Sequence, residues 1–293
     1  MTSGLPVAAP PYLLEKSELV NRYLAMYLPD PAQYPRQLHE AIHYAVMAGG
    51  KRLRPVLAIA AYEACGGKGE DIYKAAVALE LVHTYSLIHD DLPCMDDDDL
   101  RRGRPTLHKK FNEAVALLAG DALHDFAFQL IAQTGRTEIV LELADAIGTG
   151  GMLAGQMADL DAERQKVSLD DVRFIHEHKT GKLIRGALRI GAILADASAR
   201  RLNSITRYGE KIGLAFQIID DILDIEGSTS VLGKPVGSDS KNFKATYPGV
   251  IGLEASRRAA GKLIEEAIAI IEQNLSPGEV FIDLARFIGG RQS

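Results

Sequence analysis

Two acid clusters hold most of the chemistry this sequence can do. Asp90, Asp91, Asp96, Asp97, Asp98 and Asp99 crowd into SLIHDDLPCMDDDDLRRGRP, residues 86–105, with Arg101, Arg102 and Arg104 directly behind them. Asp220, Asp221 and Asp224 stand in FQIIDDILD at i, i+1 and i+4. On a helix those positions fall within one arc of roughly 100°, so all three acids point to one side. Carboxylates this close raise one another's pKa and do not all stay ionised without a cation. A hard divalent ion held by oxygens is the natural partner, and Mg²⁺ carried by few carboxylates keeps open positions for phosphate oxygens. The plainer reading of the second cluster is an exposed helix edge paired with lysines. Against it, Phe216, Ile218, Ile219, Ile222 and Leu223 surround the acids, and carboxylates are costly to bury unpaired.

The cations give the acids a shared purpose. Gly49-Gly50-Lys51-Arg52-Leu53-Arg54-Pro55 sets three bases before a helix. Arg101 and Arg102 follow the first acids, and Lys179-Thr180-Gly181-Lys182, Lys234 and Lys244 add more. Acids and bases in one cavity mean a metal plus an oxyanion, for which diphosphate is the candidate. Each basic element alone has a plainer reading: a solvated turn for GGKRLRP, a core histidine for His83, helix surface for Lys179-Thr180. Cys94 lies between the acids, but a thiolate is soft and Mg²⁺ is hard, so it reads as incidental. No GxxxxGK[ST] or GxGxxG loop occurs, which argues against ordinary kinases and NAD enzymes.

These residues need elements to position them, and the pattern is helical. Val77, Leu81 and Tyr85 recur every four positions within Ala75–His89. Similar stretches run over Ala114–Ile131, Lys182–Leu194, Leu202–Ile225 and Leu253–Ile271, whereas alternating strand patterns are missing. The expected fold is an all-α bundle of roughly ten or more helices. Breaks fall at Leu28–Pro31, Gly66–Gly69, Gly148–Gly151 and, longest and most polar, Glu226–Pro248. None reads as a linker, so residues 1–293 are expected to form a single domain. Met1–Leu14 is uncharged but lacks a basic n-region and carries three prolines, so its first part, residues 1–11, reads as a disordered leader rather than a signal peptide. The 293 residues suffice for a large core, with 47% hydrophobic and 25% charged residues. The net charge of −6 argues against a nucleic-acid partner. No apolar run reads as long enough to cross a bilayer. The two cysteines, Cys65 and Cys94, fit a reducing compartment and a cytoplasmic location.

The motifs together resemble those of the trans-isoprenyl diphosphate synthases, and most closely their bacterial farnesyl diphosphate synthase branch. The likeness spans about residues 48–248. A DDxxxxD motif is matched by Asp90, Asp91 and Asp96, and a DDxxD motif by Asp220, Asp221 and Asp224. GGKRLRP, HDDLPxMDxDDxRRGxPT, GQxxDL, KTGxL and KxxGxD…KxTYP appear in order. The resemblance implies a helical bundle around a large central cavity, a homodimer, three Mg²⁺ ions bridged by diphosphate, and condensation of dimethylallyl or geranyl diphosphate with isopentenyl diphosphate. It implies that Lys51, Arg54, His83 and Arg102 hold isopentenyl diphosphate. Arg101, Lys179, Lys234 and Lys244 would hold the allylic diphosphate beside metals on Asp90, Asp96 and Asp220, with Asp91, Asp221 and Asp224 completing the two metal motifs. Thr180 and Gln217 would line the reacting carbons. In place of the family's basic Arg-x-Lys ending the chain has Gly289-Gly290-Arg291-Gln292-Ser293, so a covering tail rests on Arg291.

Ionisation of the allylic C–O bond needs stabilisation of the departing diphosphate, and the resulting cation needs a dry apolar cavity. No protein base stands out, which leaves the departing diphosphate as proton acceptor. The growing tail is expected to run down the helix that ends at Asp90. Tyr85 lies about 7.5 Å further along its axis and small Ser86 sits beside it, a pairing that in similar bacterial enzymes goes with a C15 product. Tyr85 as plain core packing stays open, as does a C20 product. A terpene cyclase would give GGKRLRP and His83 no role, and a non-catalytic subunit would lack some of the acids retained here.

Overall fold

The computed structural model describes residues 8–163, 165–226 and 244–291. Among them are fourteen α-helices. The first four are α1 (Pro11–Tyr27), α2 (Arg36–Val46), α3 (Leu53–Ala64) and α4 (Asp71–Asp90). After α4 a hairpin pairs β1 (Leu100–Arg101) with β2 (Arg104–Pro105), with Leu100 opposite Pro105 and Arg101 opposite Arg104. Next come α5 (Leu107–Lys110), α6 (Glu113–Ala132), α7 (Thr137–Ile147), α8 (Met152–Ala162) and α9 (Leu169–Ile175). A π-helical turn, His176–Gly181, runs directly into α10 (Lys182–Leu194). The chain finishes with α11 (Ala199–Glu226), α12 (Tyr247–Ile251), α13 (Leu253–Asn274) and α14 (Glu279–Gly289).

Each long helix predicted from periodicity is present, extended by up to four residues at either end. α4 is buried all round: Ala75 through Leu79, with Leu81 and Val82, are almost without exposure. A helix apolar on every side must be central, and α4 indeed lies among α1, α2, α3, α6 and α10. Two apolar cores follow. One joins α2, α4, α6 and α7; the other joins α11, α13 and α14. α3 and α10 contribute side chains to both. The Tyr208 hydroxyl donates to the Phe281 carbonyl at 2.8 Å, tying α11 to α14.

Three expectations need correction. Residues 1–7 of the stretch read as an N-terminal leader lie outside the described residues, but its end is helical from Pro11, and Leu13 is buried in the second core. Pro10 and Pro11 open this helix, because proline's missing N–H and fixed φ suit a first turn. The strands overlooked in the sequence are two residues long, too short to show alternation. α6 is long and apolar enough to match a bilayer-spanning helix by length and composition, with a mean hydropathy of 1.4. Its buried residues belong to the α4 core, however, and Asp121 and Asp125 interrupt its outer side.

Candidate active site

A cavity of about 770 Å³ opens between α3, α4, α8, the π-turn and α11, within the range of small-molecule sites. Both acid clusters reach it: Asp90 and Asp96 from one side, Asp220, Asp221 and Asp224 from the other. Lys51, Arg54, His83, Arg101, Arg102, Lys179, Thr180, Gln217 and Lys244 line it as well, and so do Tyr85 and Ser86. Lys234 lies outside the described residues.

The first cluster forms where α4 stops. Asp90 is its last residue, and the Asp96 backbone N–H donates to the Asp90 carbonyl at 2.8 Å, folding the loop back on the helix end. Burial pushes the Asp90 carboxyl above its usual range, and Asp96 adds to this against the pull of Lys179, Arg101 and Lys244. Burial would raise Asp96 too, but Lys244, whose Nζ lies 2.9 Å away, and Lys179 hold it below the usual range. Asp91 behaves differently. It faces a small second cavity of about 50 Å³ rather than the large one. Arg101 clamps it, with Nε at 2.7 and 2.9 Å from its two oxygens and Nη2 at 2.6 Å. Burial still leaves its carboxyl pushed up to about 6. The hairpin β1–β2 thus presents Arg101 and Arg102 with Asp91 as the anchor.

The second cluster lies within the last turns of α11. Neutral groups hold Asp221: Gln217 Nε2 donates to it at 3.3 Å and the Tyr247 backbone N–H at 2.9 Å, while His176 Nε2 is 3.4 Å away. Burial pushes His176 down to about 3, which keeps its ring neutral. The Thr180 hydroxyl donates to Gln217 Oε1 at 2.8 Å, so Thr180, Gln217 and Asp221 form one chain along the cavity wall. Arg291 crosses from the end of α14 to Asp220, 3.0 Å away, and stacks 4.2 Å from the Phe216 ring. The lone basic residue noted at the C-terminal end therefore reaches the site.

Lys179 and Thr180 owe their position to the π-turn. Two glycines let neighbouring helices touch its backbone. A Cβ on Gly155 of α8 would stand 2.0 Å from the Lys179 nitrogen, and one on Gly213 of α11 would stand 2.7 Å from the Gly181 Cα. Lys179 Nζ then reaches Asp159 Oδ2 at 2.6 Å. Asp159 and His176 were not singled out in the sequence. GQxxDL contains Asp159, but nothing in a single acid announces its lysine. π-turns concentrate at functional sites.

The cationic side gathers Lys51, Arg54, His83 and Arg102. Desolvation, with Arg291 nearby, pushes the Lys51 ammonium down to about 8, against the pull of Asp220. Burial and then Arg54, Arg102, Arg101 and Arg52 push His83 well below its usual range, so it is a neutral ring among cations. Tyr85 lines the cavity, its ring packed edge-on to His89 at 5.8 Å and to His124 of α6 at 5.3 Å.

The donor set fits Mg²⁺. Asp90 and Asp96 share a buried place in which Asp90 is poorly neutralised, as a carboxylate awaiting a cation would be. Among the described residues no three His, Cys, Asp or Glu side chains make a ready cation cage. Mg²⁺ takes one or two carboxylates and completes its shell with water and phosphate oxygens.

Comparison with known proteins follows the same lines. A family model described as polyprenyl synthetase matches residues 35–280. The farnesyl diphosphate synthase of Bacillus subtilis (strain 168) is 42% identical over 288 residues, 96% of this chain and 97% of that protein. The chloroplastic heterodimeric geranylgeranyl pyrophosphate synthase large subunit 1 of Arabidopsis thaliana is 44% identical over 298 residues, 96% of this chain and 79% of that protein. A solved polyprenyl synthase from Caulobacter crescentus CB15, complexed with calcium and isoprenyl diphosphate, has a TM-score of 0.88 at 27% identity, covering 99% of this chain and 100% of its own. An FPP/GFPP synthase from Zymomonas mobilis has a TM-score of 0.83 at 37% identity, covering 94% and 97%.

Proposed function

The chain belongs to the polyprenyl synthetase family of prenyltransferases, for which magnesium dependence is typical, and from that premise we propose that it makes C15 farnesyl diphosphate from dimethylallyl or geranyl diphosphate and isopentenyl diphosphate. The observation that carries this reading is one cavity lined by both acid clusters, by the cations and by the buried Tyr85 ring.

In this reading Lys51, Arg54, His83 and Arg102 hold isopentenyl diphosphate. Arg101, Lys179 and Lys244 hold the allylic diphosphate, with Lys234 from outside the described residues. Asp90, Asp96 and Asp220 would hold three Mg²⁺ ions with Asp221 and Asp224, while Asp91, off the large cavity, holds Arg101; the ions would supply charge stabilisation to the departing diphosphate. The allylic C–O bond breaks with its electron pair leaving on diphosphate. The alkene of isopentenyl diphosphate forms the new C–C bond, and the adduct's proton passes to the departed diphosphate. Thr180 and Gln217 line the reacting carbons, while the apolar wall excludes water from the cation.

Tyr85 supports the C15 assignment, since a buried aromatic stops a tail that runs down α4. The C20 alternative draws on the geranylgeranyl pyrophosphate synthases among the relatives. Product analysis after mixing the protein with Mg²⁺, dimethylallyl diphosphate and labelled isopentenyl diphosphate decides between them. A C20 major product overturns the assignment. Tyr85→Ala should lengthen the product to C20 or beyond with initial turnover kept, and an active variant that still stops at C15 removes Tyr85 as the ruler.

We also read the chain as a single domain, supported by the sharing of α3 and α10 between its cores, and as a cytoplasmic homodimer. Leu117 and Leu118, exposed on α6, support a second copy as their cover. The unpaired Cys65 and Cys94 support a reducing compartment.

A further inference from the structure

Between Lys51 and Arg54 stands a third cation with a different task. The Arg52 side chain is only 1% exposed, and each of its three nitrogens is taken by a different helix. Nη1 donates to Glu80 Oε1 of α4 at 2.5 Å, Nε to Asn21 Oδ1 of α1 at 2.9 Å, and Nη2 to the Val46 carbonyl at the end of α2 at 2.8 Å. Glu80 is 2% exposed. The Arg52 backbone is left-handed, with φ 50° and ψ 34°, a region that residues with side chains avoid.

Both features are costly. A buried ion pair is often no better than two apolar side chains, and a left-handed residue other than glycine persists only where its surroundings impose it. Their place gives the reason. The left-handed turn leaves Lys51 on one side of Arg52 and starts α3 on the other, with Arg54 in its first turn; both cations line the cavity. His83 also lines the cavity, three residues after Glu80 and so on the same side of α4. Two further bonds brace the turn: Ser17 Oγ donates to the Lys51 carbonyl at 2.9 Å, and Arg102 Nη1 donates to the Gly49 carbonyl.

We propose that the Arg52–Glu80 pair is the positioning device of the isopentenyl diphosphate subsite, holding the turn that aims Lys51 and Arg54, together with His83, at one diphosphate. The inference rests on the prenyltransferase reading above. Arg52 is not itself a ligand in this scheme, since its nitrogens are spent on three helices and its charge on Glu80. Its function is to make two neighbouring cations converge.

Steady-state kinetics on Arg52→Lys and Glu80→Gln test this. A lysine keeps the charge but cannot reach three partners at once. KM for isopentenyl diphosphate should rise about ten-fold or more, while KM for dimethylallyl diphosphate and kcat stay within about three-fold. Titration calorimetry with isopentenyl diphosphate alone, in EDTA, should show the same loss of affinity. Asn21→Ala, which spares the ion pair, should raise the same KM by only about two- to three-fold. Should the single variants unfold, Arg52→Met with Glu80→Met removes the pair without stranding a charge; it should melt near the wild-type temperature and keep the raised KM. Equal rises in both KM values, or wild-type affinity in every variant, overturn the proposal. Wild-type protein that binds isopentenyl diphosphate but forms no longer chain would instead sink the prenyltransferase reading and leave the turn's role standing.

Discussion

In the first acid cluster the paired aspartates sit where a helix stops; in the second they sit inside one. At Asp90–Asp91 the end of α4 leaves room for a loop and hairpin to return, so Asp91 meets a guanidinium and Asp96 meets Lys244. At Asp220–Asp221 the helix continues, its side chains can only meet neighbours, and Asp221 is held by an amide, a backbone N–H and a neutral imidazole. The two segments look alike in sequence, yet in the first a guanidinium and an ammonium meet Asp91 and Asp96, while in the second Arg291 meets Asp220 and Asp221 takes donors from neutral groups. A charge clamp is costly to lose from one side, because the partner is left buried and unpaired.

The comparison yields graded expectations. Asp90→Ala and Asp220→Ala each remove a carboxylate from the cavity, and kcat should fall about a thousand-fold, some 4 kcal/mol; near-normal turnover in either, or in excess EDTA, would contradict a shared metal site. Next comes the contrast itself. Asp91→Asn strands Arg101 and should cost about a hundred-fold in kcat, whereas Asp221→Asn keeps one acceptor oxygen for the Tyr247 N–H and His176 and should cost about ten-fold. Equal losses would erase the distinction. Gly213→Ala, which pushes on the π-turn, should cost about ten-fold in kcat with little effect on KM for isopentenyl diphosphate, since Lys179 and Thr180 move and Lys51 does not. The smallest effect is one of pH. With its free-enzyme pKa lowered to about 8, Lys51 is charged below that pH and neutral above it. KM for isopentenyl diphosphate should therefore be flat to about pH 7, roughly double by pH 8 and keep rising several-fold by pH 9. Arg291→Gln removes a repelling cation and should move that rise to higher pH; an unmoved limb would free Lys51 of Arg291's influence.

Much of this was legible beforehand, and the remainder has a common cause. Apolar spacing predicted the long helices because each buries a face, and the aspartate spacing on α11 predicted acids that share one cavity. What escaped notice acts through contacts distant in sequence. Asp159 matters through Lys179, His176 through Asp221, and Glu80 through Arg52. The hairpin at Leu100–Pro105 is too brief for a pattern, and HEHKTG reads as ordinary helix, so its π-turn had no local signal. Pro10 and Pro11 were read as breakers when they were starters.

That π-turn ties the site to the number of residues as well as to their kinds. Glu177 and His178 bond back to Arg173 and Phe174 one turn earlier, so their own chemistry serves the turn locally. Shortening His176–Gly181 by one residue would let the chain close as plain α-helix, and since a π-turn sweeps about the same angle as an α-helix one residue shorter, α9 and α10 would keep their facing. Val172, Ile175, Leu183, Ile184 and Ala187 would stay in the core, while the bulge that carries Lys179 and Thr180 would be gone, and with it the reach of Thr180 to Gln217. A single deletion here would thus spare the fold and strike the site, and a length change in this stretch is the sequence feature that would mark a protein with a rearranged centre.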